Sequence, residues 1–139
     1  MADVTFTAAS VLAGTGAIKV KGYAGETITA DLVVYQKAAD SEYYIAHCTT
    51  SAATAVAVGI ALNGAGNAQP LEVQTEGNLT CDNLTLVAAT GCVYVLSASG
   101  KICPAADLAA DDYVTIIGVA TSTTNLKLGI TVSGVVGTA

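Results

Sequence analysis

Tyr113-Val-Thr-Ile-Ile-Gly-Val-Ala-Thr121 is an apolar, β-branched run around one glycine, and the chain carries a second such run at Ala55-Val-Ala-Val-Gly-Ile-Ala-Leu62. Superposing Gly59 on Gly118 brings Val58-Gly-Ile-Ala61 onto Ile117-Gly-Val-Ala120 and aligns what lies on either side. Upstream, Leu32-Val-Val-Tyr-Gln36 and Tyr43-Tyr-Ile-Ala-His47 match Cys92-Val-Tyr-Val-Leu-Ser97 and Lys101-Ile-Cys-Pro104. Downstream, Leu71-Glu-Val-Gln-Thr-Glu-Gly77 matches Leu128-Gly-Ile-Thr-Val-Ser-Gly134. The chain reads as a small β-unit said twice, over residues 26–77 and 84–134. Two copies are too few for an open solenoid, which needs roughly three repeats to bury a continuous core. A closed pseudo-symmetric globule is expected.

Working outward, turn signals recur at about the 8 to 12 residue spacing of sandwiches and barrels. No window of roughly ten residues carries an apolar 3.6 period. The fold class is therefore all-β: a compact barrel or sandwich of roughly ten to twelve short strands, residues 13–139, preceded by an extended N-terminal arm over residues 1–12. Strands are also expected at residues 16–21, before the first unit, and at 26–30, at its start. Asn63-Gly-Ala-Gly-Asn67 is the strongest turn, and Glu76-Gly77 is read as another. Residues 104–112 hold the one stretch with helical promise, with Asp107 as its cap.

Composition narrows the function. Of 139 residues, 53% are hydrophobic, 5% aromatic and 12% charged. The charged share is about half that of an ordinary soluble domain, so part of the exterior is expected to be covered by other chains. All five basic residues are lysines, scattered and outnumbered by eleven acids. Nucleic acid is excluded, because binding needs clustered Lys or Arg to displace counterions. The apolar run at residues 55–62 is far shorter than the roughly 18 to 20 residues of a membrane-crossing helix. The start, Met-Ala-Asp-Val-Thr-Phe-Thr, lacks the basic and apolar regions of a secretory signal. Neither membrane insertion nor Sec-type export is expected.

Chemistry is sparse. His47 next to Cys48 invites a thiolate–imidazole dyad, but neighbours on a strand point to opposite faces. Cys48, Cys81, Cys92 and Cys103 form no C-x-x-C pair, which leaves reduced core thiols first, then one disulfide, then metal ligation. Asp107, Asp111 and Asp112 could offer oxygens to calcium, yet the EF-hand spacing is missing and a solvated loop accounts for them. Gly14-Thr-Gly16 and Asn63-Gly-Ala-Gly66 lack a phosphate-loop lysine and read as turns. No catalytic residue, cofactor or metal site is assigned, and the protein is not expected to be an enzyme. Contact is the expected work. The candidate contact residues are Val4 and Phe6 in the arm, suited to strand addition, and Tyr43, Tyr44 and Tyr113, whose rings suit an interface or a sugar platform.

Two longer stretches carry a resemblance. Val93-Tyr-Val-Leu-Ser-Ala-Ser-Gly-Lys-Ile-Cys-Pro-Ala-Ala-Asp-Leu-Ala-Ala-Asp-Asp-Tyr-Val-Thr-Ile-Ile-Gly-Val-Ala-Thr-Ser122 resembles the C-terminal half of tailed-phage capsid cement, or head decoration, proteins. Ala57-Val-Gly-Ile-Ala-Leu-Asn-Gly-Ala65 with Pro70-Leu-Glu-Val-Gln-Thr-Glu-Gly77 is similar to the central hairpin of that family. The resemblance covers residues 55–134 and implies a non-enzymatic protein on the outside of a phage head, assembled in the host cytoplasm. The implied partners are the major capsid protein and further copies of itself, a homotrimer ahead of a homodimer. A phage tail or fibre module, and a carbohydrate-binding β-module, are the rival readings.

Overall fold

The computed structural model describes residue 4 and residues 11–49, 51–81, 93–105 and 111–136. Among these the protein is all-β, with ten strands in one curled antiparallel sheet that forms a half-barrel. In chain order they are β1 (Leu12–Ala13), β2 (Ile18–Tyr23), β3 (Val33–Gln36), β4 (Tyr43–Ile45), β5 (Gly59–Ala61), β6 (Pro70–Thr80), β7 (Val93–Leu96), β8 (Ile102–Pro104), β9 (Tyr113–Ser122) and β10 (Asn125–Val136). Single 3-10 turns sit at Ala53–Ala55 and Ala98–Gly100.

The pairing order is the same in both halves. In the first, β3 pairs with β4 and β5, and β5 with β6; in the second, β7 pairs with β8 and β9, and β9 with β10. The halves meet where β6 runs antiparallel to β10, with Leu79 opposite Leu126 and Gly77 opposite Leu128.

β6 is the hinge of the sheet. Glu76 pairs with both Ile18 and Gly129, which puts β2 and β10 on opposite edges of β6. Gln74 likewise lies between Lys19 of β2 and Ile60 of β5. β5 and β10 therefore hang one after the other from the same edge of β6, and the two halves fold toward each other from that shared line.

Between them lies the main core, in which Val33, Ile60 and Ala57 of the first half meet Tyr94, Leu96, Ile102, Ile117 and Leu126 of the second. Each such Leu or Ile buried to 2% exposure or less contributes about 1.5 to 3 kcal/mol of transfer free energy. Backbone bonds also cross this seam: Cys48 N–H donates to the Ser97 carbonyl, Tyr113 N–H to Cys48 and Gly100 N–H to Ala46. A second cluster, Ala24, Ile28, Val34, Tyr43, Ala61, Leu71 and Val73, lies on the other face of the first half, under the segment that follows β2.

Three local expectations are corrected. Residues 26–30 form no strand; Ile28 makes a single antiparallel bridge to Ala65 while its side chain plugs the second cluster. Glu76-Gly77 is not a turn between two strands, because β6 runs through it. Gly77 adopts φ +88°, and the Gln74 amide donates to the Glu76 and Asn78 carbonyls at 3.0 and 2.8 Å, so the irregular backbone is held from within. Finally, Asp112 is buried where a solvated loop was expected. Asp107 and Cys92 lie outside the described residues.

Candidate contact surfaces

The tyrosines serve the fold before they serve any partner. Alternation along β4 sends the rings of Tyr43 and Tyr44 to opposite sides. Tyr43 is buried, and a side chain at Gly22 would strike its ring. Burial holds its hydroxyl above the ordinary value. Tyr44 is half-buried, and its ring occupies the space that a side chain at Gly25 would need. Its hydroxyl donates to Asp40 Oδ2 at 2.7 Å, Lys37 Nζ stands 5.1 Å from its ring centroid, and the Tyr35 ring lies 6.0 Å away. The two rings thus clasp the end of β2 and the chain beyond it, which is why glycine occupies positions 22 and 25.

Tyr113 is half-buried against the main core. Val4 departs from the expected contact role: it is 8% exposed within the main core, and its N–H donates to the Ile102 carbonyl at 2.8 Å. It adds a bridge to β8 of its own chain. The physical reason is that the edge of β8 turned away from β7 offers backbone groups, and the Val4 N–H satisfies one of them. Phe6 lies outside the described residues. Of the five candidates, Tyr44 and Tyr113 keep part of their surface in solvent; Tyr43 and Val4 do not.

The largest apolar exposure lies elsewhere. Along β2, Ile18 is 51% exposed, Val20 38% and Tyr23 58%, and in β1 Leu12 is 61% exposed. Every residue of β2 except Gly22 is exposed. Ile18 and Val20 share one side of the strand and Lys19, Lys21 and Tyr23 the other, so this ribbon is open on both faces. Lys19 makes an ion pair of 3.8 Å with Glu72 of the neighbouring strand. The sequence carried one clue: Ile-Lys-Val-Lys is the alternation of an outer strand guarded by lysines. It could not tell that, among the described residues, no layer covers Ile18 and Val20.

A second surface opens at the far end of β10. Where β6 turns away toward β5, an open cleft of about 730 Å³ is lined by Ala57, Val58, Gly77, Ile130 and Val132, among others. Val132 is 37% exposed and Val135 61%.

The reactive side chains are dispersed. The Ser99 N–H donates to His47 Nδ1 at 3.1 Å, joining the loop after β4 to the β7–β8 turn, while Cys48 is buried in the main core. Cys48, Cys81 and Cys103 are buried thiols. Burial, reinforced by the charge of Asp112, pushes Cys48 up to about 12. Among the described residues no group of three His, Cys, Asp or Glu is placed to hold a metal ion. Among them, too, no helix is long and apolar enough to cross a membrane.

No protein-family model matches this chain, and no curated protein matches it significantly.

Proposed function

We propose that this protein is a structural virion component: a capsid cement that binds the outside of a phage head and bridges neighbouring copies of the major capsid protein. The observation that carries the reading is the β1–β2 ribbon, where Leu12, Ile18, Val20 and Tyr23 face solvent on a strand open on both sides. A lone small domain with only 12% charged residues gains nothing from leaving these side chains wet, whereas a protein that works by docking uses them. The resemblance of residues 55–134 to decoration proteins names the kind of partner. The lysines alternating with Ile18 and Val20 hinder unguided strand pairing along this edge. Each contact is weak. Many copies on one lattice add through multivalency, so a modest individual affinity still reinforces the shell.

The test mixes purified protein with empty, expanded heads and images them by electron microscopy. Saturable density at the symmetry axes is expected from the wild type, and its loss from an Ile18→Lys/Val20→Lys double variant that keeps its circular dichroism spectrum. Absence of head binding, with binding to tail components or to a glycan array, would overturn the reading.

A further inference from the structure

We propose that Asn63 is a modification site held silent by the fold: its side chain closes onto the Gly64 nitrogen as a succinimide, and so becomes aspartate or isoaspartate, only when the loop between β5 and β6 opens. This does not depend on what the β1–β2 ribbon binds.

Sequence and backbone together single out this pair. Of the five asparagines, Asn63 alone precedes a glycine; Asn67 precedes Ala68, and Asn78, Asn83 and Asn125 each precede a leucine. Without a Cβ, Gly64 neither shields its own nitrogen nor resists the rotation that brings it against the Asn63 carboxamide. The fold makes no demand for glycine here. Gly64 does not adopt a positive φ, and a Cβ on it would find only Ile28 O at 3.8 Å.

The chemistry needs only water. The Gly64 nitrogen gives up its proton to hydroxide and bonds to Asn63 Cγ; the Cγ–Nδ2 bond breaks, and Nδ2 takes a proton from water and leaves as ammonia. Water then opens the cyclic imide at either carbonyl, giving aspartate or, with the chain rerouted through the side chain, isoaspartate. One water is consumed, one ammonia is released, and nothing is oxidised or reduced.

Water reaches the pair, since Asn63 and Gly64 are both exposed. Hydrogen bonding is what restrains it. Asn63 Oδ1 accepts from the Glu72 N–H at 2.7 Å, and Nδ2 donates to the Pro70 carbonyl at 3.2 Å and to the Gly64 carbonyl at 3.1 Å. The carboxamide is thus fixed at both ends, against β6 and against its own loop. The backbone on either side is pinned as well: Leu62 N–H donates to the Glu72 carbonyl, and Ala65 and Ile28 each donate to the other's carbonyl at 2.8 Å. Attack requires Cγ to turn toward the Gly64 nitrogen and Nδ2 to depart, so the Nδ2 bonds have to be given up first. The reaction therefore runs through the open loop, at a rate set by how often the loop opens.

The product cannot close the loop in the same way. An aspartate can still accept from the Glu72 N–H, but it has no donor for the Pro70 carbonyl and sets a carboxylate against that oxygen. It also adds a negative charge to a chain of net charge −6, in the recess that Asn63 shares with Lys21, Pro70, Leu71 and Glu72 beside β2. A chain that has been open is thereby marked by a charge that refolding does not erase.

The test holds the full chain in mildly alkaline buffer, with and without an unfolding concentration of guanidinium chloride, and follows every asparagine by peptide mapping in a mass spectrometer. The unfolded chain is expected to be modified at Asn63, ahead of the other four asparagines, and at least about tenfold faster than the folded one, which reacts only in its open fraction. Gly64→Ala, which fits the folded backbone, should slow the reaction of the unfolded chain at least about tenfold, because its methyl hinders the attacking nitrogen. Equal rates in the folded and unfolded chains, modification led by another asparagine, or a Gly64→Ala chain that reacts as fast as wild type would each overturn the proposal.

Discussion

Gly59 and Gly118 hold equivalent places in the two halves for the same steric reason. A Cβ on Gly59 would strike the backbone carbonyl of Gln74 in β6, and a Cβ on Gly118 would strike that of Lys127 in β10. In each half the third strand passes so close to the last that a hydrogen is the only side chain that fits. Replacing either glycine by alanine should lower stability by about 1 to 3 kcal/mol, the usual cost of forcing a methyl into a packed interior. Gly64→Ala is the control, since its Cβ would find only Ile28 O at 3.8 Å; it should change stability by less than about 0.5 kcal/mol. Urea unfolding of the three variants measures this. Equal effects at all three positions would show that close approach is not what selects glycine.

This steric pair also explains what the sequence could disclose. Local alternation and glycine spacing revealed the all-β class and the duplicated pattern, because both depend on neighbours within a few residues. Tertiary cover was not legible. Residues 26–30 alternate like a strand, yet the partner in reach is the Ala65 turn, so one bridge at Ile28 forms and the rest becomes a lid over the second cluster. Glu76-Gly77 looked like a break because glycine at positive φ serves turns and strand irregularities alike. Two of the candidate contacts, Val4 and Tyr43, are buried for a related reason. Large rings and β-branched residues mark interfaces and cores equally, so Val4 and Tyr43 were legible as apolar anchors but not as anchors for their own chain. Ile18 and Val20 carry the alternation of an ordinary strand, and it is their exposure, with no layer above them among the described residues, that makes them a surface.

The arm can be separated from any docking role at Val4. Because Val4 is buried beside Ile102, Val4→Ala should cost about 2 kcal/mol, from two lost carbons and the cavity they leave. Head binding per folded molecule should be unchanged, whereas the arm as a docking element would require binding to fall while stability held. Thermal unfolding and a head-binding titration on the same preparation distinguish these outcomes.

The Tyr44–Asp40 bond makes part of the stability dependent on pH at both extremes. The Tyr44 hydroxyl first, and the Glu42 N–H second, hold Asp40 below its ordinary 3.8. A carboxyl with a depressed folded value stabilises above its unfolded value, and this contribution fades as pH falls through the folded one. The same bond raises Tyr44 from 10.0 to about 12. That contribution is complete below about pH 10 and is lost as pH rises toward about 12. Tyr44→Phe keeps the ring over Gly25 and deletes only the bond. Its stability deficit should be largest near neutrality, shrink as pH falls below Asp40's ordinary 3.8, and shrink again as pH rises toward about 12, as read from urea midpoints across that range. A deficit that is flat with pH would mean that the hydroxyl acts through packing alone.

Thiol reactivity reports on the seam between the two halves. Cys48 lies at 0% exposure in the main core, with its N–H bonded to Ser97 and its carbonyl to Tyr113, so the loop that carries it is tied to the second half on both sides. A thiol raised to about 12 holds almost no thiolate near neutral pH, and burial keeps reagent away from what there is. In a Cys92→Ser background, Cys48, Cys81 and Cys103 should therefore react with Ellman's reagent at pH 8 only as fast as the structure opens. Adding urea below the unfolding transition should accelerate Cys48 and Cys81 together, because both are packed in the main core between the halves. Rapid labelling of Cys48 in the native protein, or labelling of Cys48 long before Cys81, would show that the loop carrying Cys48 opens without the core between the halves being breached.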